Sequence, residues 1–335
     1  MHACSTRLAL AAVLAAGTFV PVHAQMTWTN YNASNGLRSN TTYGVYASGG
    51  TAYVATSGGL STSANGGASW TTYTTGSGLG SNTVWGVYAS GGTIYAATIG
   101  GGLGVSTNGG ANWTNYKTTN GLGSNNVWGV HEAGGSIYAA TQNGLSISTN
   151  GGASWTNSTT ANGLAANYLW SVYADGSTIY AATNGGGLSV STNGGAGWST
   201  FNTASGLPSN TVWDVYVSGG TIYAATGGGL SVSADAGTNW TTYTSASGLG
   251  SNDVRSVYAS GGTIYAATSG GGLSVSADSG ATWTTYTAAS SGLANDAMYG
   301  VYADGGVIYG ATASGLSVGV VPEPSACLTA LAGVG

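Results

Sequence analysis

Three carboxylates and one guanidinium are the residues whose types and spacing could do covalent chemistry in this chain. Asp253 and Asp296 stand near the start of similar segments in successive repeats, Asp214 lies inside such a segment one repeat earlier, and Arg255 follows Asp253 by two positions. Hydrolysis of a glycosidic bond needs two carboxylates about 5–9.5 Å apart, one to protonate the leaving oxygen and one to attack or to activate water. Isolated aspartates at turns more often cap backbone amides, and these three occupy different places within their repeats. Asp214, Asp253 and Asp296 are therefore the catalytic candidates, and they suit a glycoside hydrolase if they converge. Other chemistry lacks material. Beyond residue 24 the chain carries one histidine, His131, and one cysteine, Cys327. Neither a metal cluster nor a nucleophile–base pair can be assembled from these, so no metal and no cofactor is expected.

A second set of residues suits binding rather than reaction. Trp85, Trp128, Trp170 and Trp213 recur at one position of the repeat, with Tyr43, Arg255 and Tyr299 in the same slot elsewhere. At the mouth of a channel such rings could stack on sugar rings, and Arg255 would join them as a ligand contact. The plainer expectation is that they fill the wedge between neighbouring sheets.

The elements that must position these residues follow from self-alignment. Trp28, Trp70, Trp113, Trp155, Trp198, Trp240 and Trp283 are separated by 42 or 43 residues throughout. Each unit holds four short runs, as in "VWDVYV", "TIYAAT", "GLSVSAD" and "TNWTTY", rich in β-branched and aromatic residues and bounded by Gly-Gly, Ser-Gly or Asn-Gly pairs. A period near 42 with four strands per unit predicts propeller blades. The first three run types occur seven times, whereas the fourth starts early, at Met26 to Tyr31, and nothing follows the last third run. The fold expected is all-β: a seven-bladed propeller of four-stranded antiparallel blades over residues 25–320, closed by the N-terminal strand completing the last blade. Closure leaves no terminal strand edge unpaired.

Six octets follow the pattern S-x-(N/D)-x-G-x-x-W, among them "STNGGASW" at Ser148 to Trp155. They resemble the Asp-box, or bacterial neuraminidase repeat. The third and last positions are Asn65 and Trp70, Asn108 and Trp113, Asn150 and Trp155, Asn193 and Trp198, Asp235 and Trp240, and Asp278 and Trp283. A scaffold role follows from the residue types: Asn or Asp accepts N–H bonds from its own turn, glycine takes positive φ, and tryptophan packs inward. Calcium is disfavoured because four of six octets carry the amide in place of the acid. The resemblance does not extend to sialidase activity. That family holds its substrate carboxylate with three arginines, and only Arg38 and Arg255 follow residue 24. The stretch "GLPSNTVWDVYVSGGTIYAATGGGLSVS" resembles the repeat of two-component regulator propellers, which are periplasmic sensors; of that family only the blade architecture is implied here.

Composition and the two ends narrow the cellular role. Four Lys plus Arg against nine Asp plus Glu give a formal charge of −5, which excludes a phosphate-binding surface and hence nucleic acid. Residues 1–24 read as a secretory signal, with Arg7 before an apolar run and cleavage after Ala24. Val321-Pro322-Glu323-Pro324-Ser325, followed by an apolar stretch, resembles the PEP-CTERM sorting signal, which implies processing by an exosortase-type enzyme if the signal is complete. The pattern's basic tail is not among these residues. The function expected is that of an exported, monomeric, non-catalytic interaction module of a Gram-negative envelope or matrix, binding polysaccharide or an envelope protein. A detached sensor-type propeller and a glycosidase are the alternatives.

Overall fold

The computed structural model describes residues 26–320; cleavage after Ala24 and the Pro322-Glu323-Pro324 motif lie outside the described residues. Seven four-stranded antiparallel sheets follow one another around a ring. Their inner strands are Thr42–Ser48, Val84–Ser90, Val127–Ala133, Leu169–Asp175, Val212–Ser218, Val254–Ser260 and Met298–Asp304. Outward from each lie a six-residue strand such as Thr93–Thr98, a third such as Gly102–Ser106, and a short edge such as Thr114–Tyr116. The first hairpin of each blade turns tightly, and in the second blade Gly91 and Gly92 hold φ of +56° and +81°, a conformation that side chains resist.

The ring closes through the amino terminus. Thr27–Tyr31 pairs antiparallel with Gly315–Val320, in a register running from Thr27 opposite Val320 to Tyr31 opposite Leu316. The first described strand is thus the outer edge of the seventh blade.

Two sequence expectations need correction. The outer strands, read from six-residue runs such as "TNWTTY", are mostly three long, because the tryptophan and its neighbours are taken up by the octet turn. Helical turns were also not expected. Five 3-10 turns and one four-residue α turn, Ala288–Ser291, stand between successive blades, and each ends in a glycine such as Gly78 at φ +94°. A single turn carries no 3.6-residue periodicity, so hydrophobic patterning cannot reveal it.

The apolar core lies between adjacent sheets. Between the fourth and fifth blades, Leu188, Leu207, Val212, Val215 and Ile222 pack together with Trp240 against them. The same wedge position is taken by Trp28, Trp70, Trp113, Trp155, Trp198 and Trp283 in the other six clusters.

The octets make these wedges rigid. In the first, Asn65 Oδ1 accepts from Ser63 Oγ at 3.0 Å and from the Ser69 backbone N–H at 3.0 Å, and Ser63 Oγ accepts from Gly67 N–H at 2.8 Å. Asn108, Asn150, Asn193, Asp235 and Asp278 repeat the long-range turn bond at 2.8–2.9 Å, so acid and amide perform the same task. Each turn also docks on the preceding blade. Tyr31 donates its hydroxyl to Gly66 O at 2.9 Å while its ring meets Trp70 edge-on at 5.4 Å. Gly67 has to be glycine there, since a Cβ would fall 2.3 Å from the Tyr31 ring.

Candidate functional site

The inner strands do not run as regular ladders. In all seven, the pairing with the second strand skips one residue, as between Val84 and Gly86 or between Leu169 and Ser171. The skipped residues are Tyr43, Trp85, Trp128, Trp170, Trp213, Arg255 and Tyr299. A bulge frees a residue from the ladder and re-aims its side chain, and here it does so once per blade at the same level.

The result is a ring of side chains at one mouth of the axial channel. Tyr43 stacks on Trp85 with centroids 4.3 Å apart and planes 15° from parallel. Trp85 meets Trp128 at 4.8 Å, Trp128 meets Trp170 at 4.9 Å, and Trp170 meets Trp213 at 4.9 Å. Arg255 continues the series with its guanidinium carbon 3.9 Å from the centroid of Trp213, a cation–π contact. A cavity of about 150 Å³ opens among Trp85, Trp170, Trp213, Arg255 and Tyr299. None of the four tryptophans belongs to the inter-sheet clusters. The wedge expected of them is filled by the outer tryptophans instead. Tyr168, which the sequence did not single out, joins the mouth 4.7 Å from Trp170.

Below the mouth the channel has a waist of small residues. Gly44, Gly86, Gly129 and Gly300 follow the bulges, and a Cβ on Gly86 would sit 2.8 Å from the Trp128 carbonyl of the next blade. Close approach of the strands requires bare backbone there. In blades four, five and six the slot holds Ser171, Asp214 and Ser256 instead. Asp214 Oδ1 accepts from Ser171 Oγ at 2.8 Å and Val215 N–H at 2.9 Å; Oδ2 accepts from Ser256 Oγ at 2.9 Å and Val257 N–H at 3.2 Å. One carboxylate therefore ties three blades together. Burial pushes its pKa up, and the bonds from Ser171, Ser256, Val257 and Val215 pull it back only in part.

The other end of the channel is collared by a second closed ring: Tyr46, Tyr88, His131, Tyr173, Tyr216, Tyr258 and Tyr302. Successive centroids lie 4.5–5.1 Å apart all the way round. Burial raises the phenols of Tyr88, Tyr216 and Tyr302 far above the ordinary tyrosine range, with neighbouring phenols adding to it. His131 is lowered to about 4, chiefly by burial and against an opposing pull from Glu132. Its Nδ1 accepts the Ala174 backbone N–H at 3.3 Å, which also requires the neutral ring.

The three candidate catalytic carboxylates are turned to three different partners. Asp253 Oδ2 receives both Arg255 Nη2 at 2.6 Å and Nε at 3.0 Å. Asp296 Oδ1 receives the Ala288 backbone N–H at 2.6 Å, in the slot where Asn82 caps Thr75 N–H and Asn210 caps Thr203 N–H. Asp253 and Asp296 flank the turn between the second and third strands of the sixth blade through their carbonyls, which accept from Ser269 and Gly270, but their carboxylates diverge in use. Asp214 is engaged at the waist. Among the described residues no group of three or more His, Cys, Asp or Glu is placed to hold a metal.

Fold and channel together define a seven-bladed β-propeller with two aromatic-ringed ends. No protein-family model matches this sequence, and no curated protein matches it either. Solved structures do. The extracellular domain assigned to a hybrid two-component system from B. thetaiotaomicron is 19% identical with a TM-score of 0.75, covering 89% of this chain and 42% of that one. PorZ, a bacterial surface component of the type-IX secretion system of Porphyromonas gingivalis, is 16% identical with a TM-score of 0.62, covering 89% and 38%. The GH74 enzyme of Niastella koreensis is 23% identical with a TM-score of 0.59, covering 86% and 44%. This chain spans less than half the length of each, and at these identities the likeness is one of fold.

Proposed function

We propose that this chain is an exported, non-catalytic propeller that serves as an interaction module of the cell envelope or extracellular matrix and binds polysaccharide at its tryptophan mouth. The observation that carries this reading is the placement of Trp85, Trp128, Trp170 and Trp213 around a cavity instead of in the wedges. Seven bulges at one level hold six aromatic rings and Arg255, and the four tryptophans among them stand outside the inter-sheet clusters. Flat indole faces suit the apolar faces of sugar rings. Arg255, held by Asp253, adds a fixed donor beside Trp213 without adding net charge, which favours a neutral glycan over an acidic one.

A glycan array with the full chain tests this, with hydrolysis of the bound glycans assayed in parallel. Binding that falls on Trp85→Ala and Trp170→Ala supports the module. Release of reducing ends would overturn the non-catalytic reading and return attention to Asp214, Asp253 and Asp296. Against catalysis stands the separate structural employment of those three carboxylates.

A second reading, a sensor-type propeller that reports through an envelope protein, is favoured by the likeness to an extracellular two-component domain. It predicts a protein partner and no glycan. Export, cleavage after Ala24 and exosortase-type processing at Pro322-Glu323-Pro324 belong to the same proposal, and the extracellular and surface neighbours support export. The working unit is a monomer.

A further inference from the structure

The collar end of the channel carries chemistry that the tryptophan mouth does not use. A cavity of about 240 Å³ lies inside the ring of tyrosines, with Ser171, Asp214 and Ser256 in its floor. We propose that this end is a second binding site, taking a small organic ammonium ion held on the axis by the aromatic collar above the Asp214 carboxylate.

Geometry makes the first argument. A regular heptagon with sides of 4.5–5.1 Å places its corners about 5.5 Å from the axis, inside the ~6 Å reach of a cation–π contact. A cation at the centre is therefore within that distance of all six phenol-ring centroids at once, and the hydroxyls of neighbouring rings lie close enough to bond one another. Phenolic oxygens and the carboxylate supply acceptors for N–H bonds.

Charge makes the second. The collar and floor contain no lysine or arginine. The single basic ring, His131, is kept neutral by the bond its Nδ1 accepts. Arg255 belongs to the opposite mouth, and its Nε and Nη2 are both committed to Asp253. Glu132 and Asp175, at the ends of two inner strands, add negative potential at the rim, since both act on collar tyrosines. Asp214 thus lies deep in the molecule, accepting four hydrogen bonds, with no cation facing it from the collar side. A bound cation offsets the desolvation of such a carboxylate.

Titration of the full chain with tetramethylammonium and methylammonium chloride, followed by proton NMR of their methyl groups, tests the site. Rings surrounding the ligand should move its resonance upfield with a saturable curve, and uncharged tert-butanol should give no such curve. Asp214→Asn should weaken binding by about tenfold or more, through loss of the charge. If that variant does not fold, Tyr258→Leu serves, with a loss of about fivefold or more through removal of one ring and hydroxyl. Trp85→Ala at the far mouth should leave the curve unchanged, which keeps this result independent of glycan binding. A linear response to both ammonium salts, an equal response to tert-butanol, or full binding by folded Asp214→Asn or Tyr258→Leu would overturn the proposal.

Discussion

Ser317 Oγ donates to Asn30 Oδ1 at 2.7 Å across 287 residues of sequence, joining the last blade to the first described strand. Two positions away in the same register Trp28 lies opposite Gly319, and a Cβ on that glycine would fall 2.7 Å from the indole. Ring closure is therefore a packed, sequence-specific junction.

A side chain at Gly319 should open that junction. Gly319→Val is expected to cost about 1–3 kcal/mol, as overpacking does. Thermal unfolding would fall by several degrees, and exposure of the Gly315–Val320 edge should promote aggregation. An unchanged melting temperature would mean that the terminal strand contributes nothing.

The junction between blades three and four differs from the rest. Where Tyr31, Tyr73, Tyr116, Phe201, Tyr243 and Tyr286 meet the next tryptophan edge-on or tilted, this position is Ser158. Ile147 fills the space from the neighbouring strand, 2.9 Å from where a Cβ on Gly195 would be. Ser158→Tyr alone should therefore destabilise by about 1–3 kcal/mol. Combined with Ile147→Val it should recover most of the loss, because the pair shares one volume. Additive chemical denaturation midpoints for the two substitutions would contradict this coupling.

His131 should make stability depend on acidity. Its pKa is near 4 in the folded chain and about 6.5 unfolded, so between those values the unfolded state binds more protons. Stability is then fully present above about pH 6.5 and declines as pH falls toward 4, by about 1–3 kcal/mol in total. His131→Tyr, which restores the residue found in the other six blades, should flatten this part of the profile in denaturation experiments run at stepped pH.

The octets should be indifferent to calcium. Asn65→Ala removes two accepted bonds and should cost about 1–2 kcal/mol, while a chelator should leave the melting temperature of the parent chain unmoved. Asp278, lowered to about 2 by the Thr282 side chain and backbone and by Ser276, adds a separate contribution. That contribution is present above about pH 4 and lost as pH falls toward 2. Asp278→Asn should abolish it. A melting temperature that rises with added calcium would restore the metal reading of the repeat.

The mouth should tolerate truncation. Trp85 is outside the inter-sheet clusters, so Trp85→Ala should cost less stability than Trp113→Ala, for which about 3–5 kcal/mol is expected. Equal losses in thermal unfolding would place Trp85 in the core after all.

Much of the architecture was legible before any coordinates. The inner strands begin at the residues where the apolar runs begin, from Thr42 to Met298, and the early fourth run at Met26 to Tyr31 indicated closure. The mouth was half legible. A recurring tryptophan slot was visible, but its escape from the wedge depends on a bulge. A bulge is a mismatch between two strands, and one strand's pattern cannot display it. The collar was equally present in the letters, as a tyrosine three positions after each mouth residue except at His131, yet nothing in a single repeat says that seven of them meet.

Period, strand count, the scarcity of basic residues and the identity of each recurring side chain are local properties, and the sequence by itself determined them, because turn chemistry and alternation act over a few residues. Only the tertiary structure decided which recurring residues converge. Seven copies of one slot become a single site only when the ring closes, and Asp214 gains its position between three blades only when its neighbours stand beside it. Convergence is a property of the closed ring, and no blade possesses it alone.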